Sequence, residues 1–284
     1  MAWFEETYYP RWRQRIQIEE VVHQERTAFQ DLMIFQSIDF GRVLVLDGIV
    51  QLTERDEFIY HEMLSHVPLV AHGAPRDVLI IGGGDGGTLK EVLKHERVSS
   101  ATMIELDPAV VTCCRTHMPS VGGAAFDDPR AEVLFADGIE FVSETDRLFD
   151  VIIVDSTDEI GPGEVLFSEA FYADCRARLR SGGVLVGQFG SGNPSDELEQ
   201  LAQKQRRLGA AFADVGFYTA TIPTYIGGTY IFGFASTDPA KRRVTVDQLA
   251  TYPAPAGLRQ YAPDVHAAAF VHPPWLAAAA FNRS

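Results

Sequence analysis

The sequence contains little cysteine and no long apolar run. Its 284 residues include three cysteines, and adjacent Cys113 and Cys114 with distant Cys175 fit neither a disulfide framework nor a zinc-binding spacing. No apolar stretch reaches the roughly 18 to 20 residues that a membrane-spanning helix needs, and the N-terminus has no basic segment followed by an apolar core. We therefore expect a cytoplasmic protein with buried or unreactive thiols.

Basic residues are scarce relative to acidic ones. The chain has 24 Lys and Arg against 39 Asp and Glu, for a formal net charge of -15. Such a chain repels nucleic acid and anionic membrane surfaces, so we expect neither as a partner, whereas it attracts cationic small molecules. Acidity also serves solubility in general, so the charge bears on function only if acidic residues line the site.

The N-terminal part of the chain has the pattern of a small β domain. Residues 29–53 alternate apolar and polar positions between turn signals, which predicts an antiparallel β unit. From Arg55 to His66 the apolar spacing becomes helical, and Pro68 is expected to follow the end of that helix. We predict one domain over residues 1–66, containing the β unit and its connecting helix, and a second over residues 67–284.

Short β-branched runs alternate with helical stretches from Asp77 onward, which is typical of an α/β fold with a doubly wound, mostly parallel sheet. A late strand over residues 230–235 is expected to pair antiparallel at the sheet edge. The predicted strand cores are 78–81, 101–104, 132–135, 151–154 and 184–186, and the predicted helices lie near 88–95, 108–117, 168–179 and 195–213.

A glycine-rich loop follows the first strand of this pattern. Five of the six residues from Gly82 to Gly87 are glycine, and the GxGxxG spacing between a strand and a helix is typical of a nucleoside site. An ordinary tight turn would need about one glycine. Asp85 inside the loop would repel the pyrophosphate of a dinucleotide and attract a cation, which favours a sulfonium nucleoside or an amine as ligand.

Acidic residues end the next two strands. Glu105 has the position of the acid that hydrogen-bonds ribose hydroxyls, whereas Asp107 fits the N-terminus of the following helix. The dipeptide Asp137-Gly138 either contacts an adenine amino group or forms an ordinary Asp-Gly turn. Both interpretations of that dipeptide are open at this point.

The fourth strand ends at Asp155, with Asp158 and Glu159 close behind. Carboxylates that share a crevice with Asp85 would form a negative pocket, which a diammonium substrate would neutralise. Glu159 equally fits a solvated acidic loop. The segment 61–66 has one residue too many for an HExxH zinc motif, and the chain has no GxSxG elbow, so we expect neither a metal centre nor a serine triad.

Four blocks in this order resemble the spermidine synthase family, in its bacterial branch, and the similarity extends from Trp3 almost to the C-terminus. The closing residues 265–270 are also similar to that branch. The four blocks are Leu46 to Met63, Gly82 to Gly87, Asp155 to Asp158 and Ile222 to Tyr225.

The resemblance implies a Rossmann-like, class I methyltransferase-like fold and a polyamine aminopropyltransferase. Such an enzyme moves the aminopropyl group of decarboxylated S-adenosylmethionine, a co-substrate, to a diamine such as putrescine, with no metal or other cofactor. It also implies a homodimer or homotetramer. Carried onto matching positions, it implies Asp155 as the acid-base residue with Tyr60 beside it, amine contacts at His61, Asp85, Asp158 and Tyr225, and nucleoside contacts at Gln30, Gln51, Gly82, Gly84, Glu105, Asp137, Gly138 and Pro162, with Gln188 a weaker candidate.

Departures from the family pattern leave the acceptor open. Glu159 stands where the family commonly has proline, and residues 189–193 differ from the usual bacterial pattern. Putrescine is the expected acceptor, and cadaverine, a longer diamine and spermidine are open alternatives. Two other functions are also compatible with the pattern. One is an S-adenosylmethionine-dependent methyltransferase, although Asp85, Asp155 and Asp158 would repel its methionine carboxylate. The other is a non-catalytic polyamine-binding protein.

Overall fold

The computed structural model describes residues 2–9, 11–157, 165–193 and 197–281. Its N-terminal part contains an antiparallel strand pair, β1-β2, and a four-stranded antiparallel sheet in the order β3-β4-β5-β6. Asp47 and Gly48 form the tight turn between β5 and β6, both with positive φ. The predicted antiparallel unit is confirmed, and it begins earlier than expected. The strands are β1 Ala2–Glu5, β2 Arg15–Ile18, β3 Glu20–Arg26, β4 Asp31–Ser37, β5 Gly41–Leu46 and β6 Ile49–Thr53.

Helix α1, Glu57–His72, connects this part to the larger sheet. The expectation that the helix ends before Pro68 is wrong, because Pro68 lies inside it. A proline here removes one backbone hydrogen bond, but nearly all of the side chains from Tyr60 to Ala71 are buried, so packing keeps the segment helical. The helix ends at Gly73, which has a φ of 87° and donates its N–H to Leu69 O.

The larger sheet has seven strands in the order β12-β13-β11-β10-β7-β8-β9. Strands β7 to β11 are parallel, which confirms the five predicted strand cores. Strand β13 pairs antiparallel with β11, as expected, but it is not the edge, because β12 pairs with its other side. The strands are β7 Asp77–Gly82, β8 Ser100–Glu105, β9 Ala131–Phe135, β10 Phe149–Asp155, β11 Leu179–Ser191, β12 Asp214–Thr221 and β13 Thr229–Ser236.

Apolar side chains leave both faces of this sheet, which makes it doubly wound. Val78 and Ile80 of β7 pack into one core with α1 and α2, and Leu79 and Ile81 pack into a second core with α5 and α6. Among the described residues, no helix combines the length and apolar character needed to cross a membrane. The remaining helices are α2 Gly87–Leu93, α3 Pro108–His117, α4 Gly138–Glu144, α5 Glu169–Arg178, α6 Glu197–Ala211, α7 Val246–Ala250, α8 Pro263–Ala269 and α9 Pro274–Phe281.

The N-terminal sheet packs against helix α3 on one face and against the β1-β2 pair on the other. Leu32 of β4 shares an apolar cluster with Val110 of α3. Phe35 of the same strand packs with Phe4 and Ile16. The sheet therefore lies beside the carboxyl ends of β7 and β8, close to the point where the strand order of the larger sheet reverses between β7 and β10. That reversal is where doubly wound sheets bind ligands.

Candidate active site

The turn after β7 brings two carboxylates close to its backbone. A Cβ on Gly82 would lie 2.2 Å from Asp155 O, and one on Gly83 would lie 2.9 Å from Asp155 Oδ2. A Cβ on Gly84 would lie 2.7 Å from Glu105 Oε2. These glycines therefore have a packing reason within the protein, since any larger residue would push the ends of β8 and β10 away from the turn.

Asp155 lies at the carboxyl end of β10 and is held by two hydroxyl groups. Tyr60 of α1 donates a 2.7 Å hydrogen bond to Oδ1, and Thr88 of α2 donates a 2.6 Å hydrogen bond to Oδ2. Burial and the nearby charge of Asp85 raise the pKa of Asp155 above its usual value. The side chain is thus oriented by its neighbours and has more affinity for a proton than an ordinary carboxylate.

A row of charged side chains extends from Asp85 toward the surface. His61 Nε2 lies 3.2 Å from Asp85 Oδ1, His61 Nδ1 lies 2.6 Å from Glu57 Oε2, and Lys90 Nζ lies 3.1 Å from Glu57 Oε1. Burial opposes protonation of His61, but Asp85 and Glu57 outweigh it and raise the pKa of His61 well above its usual value. In turn, His61 and the N–H of Gly87 overcome the effect of burial and lower the pKa of Asp85.

Aromatic rings form one wall of the crevice. The ring of Tyr60 lies 6.2 Å from that of Tyr225 and 5.8 Å from that of Tyr230, measured between centroids. Tyr225 donates its hydroxyl to Gln51 O at 2.6 Å, and Tyr230 donates its hydroxyl to Gln188 Oε1 at 2.7 Å. Ring faces of this kind suit both an alkyl chain and a cation.

The opposite end of the crevice carries Glu105, which is buried at the end of β8. Its Oε1 accepts the backbone N–H of Asp107 at 2.9 Å, and burial raises its pKa to about 7. Asp107 caps helix α3 as expected and also accepts a 3.0 Å hydrogen bond from Gln30 Nε2. Asp137 caps helix α4 through the N–H of Ile139, so the Asp-Gly turn has a local structural role in addition to facing the crevice.

These groups surround one cavity of about 330 Å³. The predicted residues Asp158 and Pro162, and Glu159 between them, lie outside the described residues. Gln188 lies behind Tyr230 rather than along the cavity wall. Every other predicted site residue lines the cavity: Gln30, Gln51, Tyr60, His61, Gly82, Gly84, Asp85, Glu105, Asp137, Gly138, Asp155 and Tyr225.

Some side chains around the cavity were not predicted. Glu57 precedes His61 by four residues, so the two share a helix face, and this spacing was available as a signal. Thr88 and Tyr230 reach the site only through the packing of α2 and β13, which no local pattern indicates. The N-terminal residues Tyr8 and Tyr9 also line the cavity.

An imidazole and two carboxylates converge at the centre of the site. His61, Asp85 and Asp155 each offer one ligand atom, and these atoms lie within 4.8 Å of one another. Within the described residues, this group is one of two in which a metal ion would find three ligands. The two carboxylates carry one more charge than the protonated imidazole neutralises. A substrate ammonium group can therefore also bind here, because it needs carboxylate acceptors.

A doubly wound sheet with a buried acidic crevice at its switch point defines a Rossmann-like enzyme of the methyltransferase-like class. The family model described as the spermine/spermidine synthase domain matches residues 57–246, and the one described as the spermidine synthase tetramerisation domain matches residues 2–54. The chain belongs to the spermine/spermidine synthase family.

Relatives and solved structures agree with this assignment over nearly the whole chain. Polyamine aminopropyltransferase 1 of Pseudomonas aeruginosa is 49% identical over 278 residues, covering 97% of this chain and 96% of that protein. The polyamine aminopropyltransferase of Escherichia fergusonii is 47% identical over 95% of this chain and 94% of its own. A spermidine synthase in complex with the transition-state analogue AdoDATO superposes with a TM-score of 0.92 at 37% identity, covering 98% of this chain and 94% of that one. The Thermotoga maritima spermidine synthase superposes with a TM-score of 0.88 at 35% identity, covering 98% of this chain and 94% of that one.

Proposed function

We propose that this protein transfers the aminopropyl group of decarboxylated S-adenosylmethionine to putrescine, giving spermidine and S-methyl-5'-thioadenosine. The observation that supports it best is that the carboxylates of Asp85 and Asp155 share one cavity with the packed rings of Tyr60, Tyr225 and Tyr230. Membership of the spermine/spermidine synthase family and the similarity to named polyamine aminopropyltransferases support the same reaction.

The two ends of the acceptor amine meet different parts of this cavity in the proposal. Asp85, kept ionised by His61, holds an ammonium group. Asp155 accepts the proton of the ammonium that becomes the nucleophile. Tyr60, Tyr225 and Tyr230 enclose the alkyl chain between them. An aliphatic diammonium ion satisfies every one of these contacts.

The acceptor ammonium group has to lose a proton before it can react, and this step needs a base from the protein. An alkyl ammonium has a free pKa near that of lysine, about 10.4, so at neutral pH almost none of it carries a lone pair. Asp155 takes that proton, and the freed amine attacks the aminopropyl carbon attached to sulfur. The carbon–nitrogen bond forms as the carbon–sulfur bond breaks, and the bonding electrons neutralise the sulfonium. Methylthioadenosine leaves as a neutral thioether. The polyamine product carries the new nitrogen as a protonated secondary amine.

Glu105 binds the nucleoside part of decarboxylated S-adenosylmethionine in the proposal. As a carboxylate it accepts the two ribose hydroxyls, and Asp137 and Gln30 lie along the same wall. Decarboxylated S-adenosylmethionine lacks the carboxylate of the parent compound, so Asp85 and Asp155 do not repel it. The same acids would repel the carboxylate that a methyltransferase has to bind, which favours aminopropyl over methyl transfer.

The reaction needs no additional cofactor, because the sulfonium is already an activated leaving group and positioning supplies the rest. We further propose that the protein works as a homo-oligomer in the cytoplasm. The match to a tetramerisation domain over residues 2–54 supports the first point. The three buried free cysteines support the second, since a reducing compartment keeps thiols unpaired.

The test is to incubate purified protein with decarboxylated S-adenosylmethionine and a panel of amines, and to follow methylthioadenosine and new polyamines by mass spectrometry. Spermidine formation with putrescine preferred is the expected result. Preference for cadaverine or spermidine would keep the reaction and correct the acceptor. Methyl transfer from S-adenosylmethionine with no methylthioadenosine formed from any amine would overturn the proposal.

Asp155→Asn is the matched variant, because it keeps the size of the side chain and removes its capacity to accept a proton. We expect kcat to fall about 10²- to 10⁴-fold, the usual contribution of a general base. Binding of methylthioadenosine, followed by calorimetry, should persist and so show that the variant is folded. Full turnover in the variant would mean that another group removes the proton.

A further inference from the structure

Three metal-ligating side chains meet outside the cavity, where strand β3 of the N-terminal sheet lies against helix α3. They are His23, Cys113 and His117, and one ligand atom of each lies within 4.8 Å of the others. The rings of the two histidines are stacked with their centroids 5.0 Å apart. None of the three lines the active-site cavity, so the mechanism above does not use them.

Local structure aims all three side chains at one point. Cys113 and His117 are four residues apart on α3, so they share a helix face, and this is the spacing of paired ligands in helical zinc motifs. His23 follows a β-bulge, because the pairing of β3 with β4 slips by one residue between Val21 and His23. A bulge in an edge strand redirects the side chain beside it.

The nitrogen Nε2 of His23 is nearly inaccessible to solvent and makes no hydrogen bond in the described structure. Glu25 Oε1 lies 3.2 Å from this nitrogen, so the two side chains form an ion pair when His23 is protonated. Cys113 is only 4% exposed. A ring nitrogen that is shielded from water and makes no hydrogen bond needs an explanation, and a cation bound beside Glu25 is one of them.

We propose that His23, Cys113 and His117 bind a divalent transition-metal ion, with Zn²⁺ as the expected occupant, and that the ion ties β3 to α3. Two imidazoles and one thiolate are ligands that Zn²⁺ prefers, and water or Glu25 completes the tetrahedron. On binding, a metal–sulfur bond replaces the S–H bond of Cys113 and one proton is released. No oxidation or reduction is involved.

The site closes slightly on binding. Metal–ligand bonds of about 2.0 to 2.3 Å place tetrahedral ligand atoms about 3.4 to 3.7 Å apart. The present ligand atoms lie within 4.8 Å of one another, so each separation shrinks by no more than about 1.4 Å. The two histidine side chains are partly exposed and can rotate that far. Arg42, which donates to the carbonyl of His117, adds a nearby positive charge. Burial and Glu25 raise the pKa of Cys113 to about 11, so the metal has to displace the thiol proton on binding.

Cobalt is the probe that separates this site from the active site. Full-length protein is stripped with a chelator, desalted and titrated with CoCl₂. We expect a thiolate-to-cobalt charge-transfer band in the near ultraviolet, which ZnCl₂ then abolishes. The other three-ligand group, His61, Asp85 and Asp155, contains no sulfur and cannot produce this band.

Variants assign the ligands. Cys113→Ser should remove the charge-transfer band, and His23→Gln and His117→Gln should each weaken Co²⁺ binding at least about tenfold. His72→Gln, a histidine outside the cluster, is the control and should bind as the unaltered protein does. Circular dichroism and methylthioadenosine production check that the histidine variants are folded.

Three results would overturn the proposal. They are the absence of a charge-transfer band, its survival in Cys113→Ser, and unchanged Co²⁺ affinity in both His23→Gln and His117→Gln. If Cys113→Ser does not fold, the two histidine variants decide the matter, because their partly exposed rings can change without disturbing the core.

Discussion

The hydroxyl of Tyr60 donates a 2.7 Å hydrogen bond to Asp155 Oδ1, joining helix α1 to the carboxyl end of strand β10. The contact links the segment that follows the N-terminal sheet to the centre of the larger sheet. Because the hydrogen bond stabilises the ionised carboxylate, it partly opposes burial and Asp85, which raise the pKa of Asp155. The position of Tyr60 therefore affects how readily Asp155 takes a proton.

Tyr60→Phe should move the acidic limb of the pH–rate profile to higher pH. Asp155 has to be ionised to accept a proton, so activity falls as the pH drops through its pKa. Loss of the Tyr60 hydrogen bond raises that pKa further. We expect kcat/KM at neutral pH to fall about 10- to 100-fold, as for a lost hydrogen bond to a charged group.

The measurement for Tyr60→Phe is kcat/KM for the amine across the pH range. Tyr230→Phe is the control, because the hydroxyl of Tyr230 donates a hydrogen bond to Gln188, whereas that of Tyr60 donates to Asp155. Its acidic limb should stay where it is in the unaltered protein. A limb that does not move in Tyr60→Phe would show that the hydrogen bond does not set the pKa of Asp155.

Asp85→Asn should weaken amine binding and leave nucleoside binding intact. The change removes the charge that His61 stabilises, so the ammonium loses an ionic partner. We expect the KM for the amine to rise about 10- to 100-fold. Calorimetry with methylthioadenosine supplies the comparison, and a parallel loss of nucleoside affinity would mean that Asp85 maintains the glycine turn rather than the amine site.

Glu105 should make nucleoside binding dependent on pH. Burial raises its pKa to about 7, and ribose hydroxyls donate to its ionised form. Affinity for methylthioadenosine should therefore weaken as the pH falls below about 7 and level off above it. Glu105→Gln should bind more weakly with little dependence on pH in this range, as titration calorimetry at several pH values would reveal. An equal pH dependence in both proteins would contradict this role.

Glu62 should anchor the C-terminal segment to helix α1. Its carboxylate is 1% exposed and accepts backbone N–H groups from Arg259, Gln260 and Tyr261 at 2.8 to 3.1 Å. Glu62→Gln places an amide donor against these donors, so we expect a loss of about 1 to 3 kcal/mol in the free energy of unfolding. Urea denaturation measures it. The exposed Glu96→Gln should change stability by less than about 0.5 kcal/mol.

Much of the fold was readable because its signals are local. The β-branched runs of the parallel strands and the turn at Asp47-Gly48 depend on neighbouring residues only. The sequence-based prediction was wrong where packing had more effect than local preference. Pro68 was expected to follow the helix, but the burial of its neighbours keeps it within helix α1. The prediction that residues 230–235 form the sheet edge was also wrong. No local pattern in residues 214–221 indicates that β12 pairs with the outer side of β13.

By itself, the sequence determined which residues end the strands and which carry charge, and so it predicted the glycine turn, Glu105 and Asp155 at one edge of a sheet. Their relation to more distant residues required the tertiary structure. Tyr60 meets Asp155 across 95 positions, and His23 meets Cys113 and His117 only because a bulged edge strand packs on α3. The physical reason is that hydrogen bonds and metal ligation depend on distances of a few ångströms, which only packing sets between residues far apart in the chain.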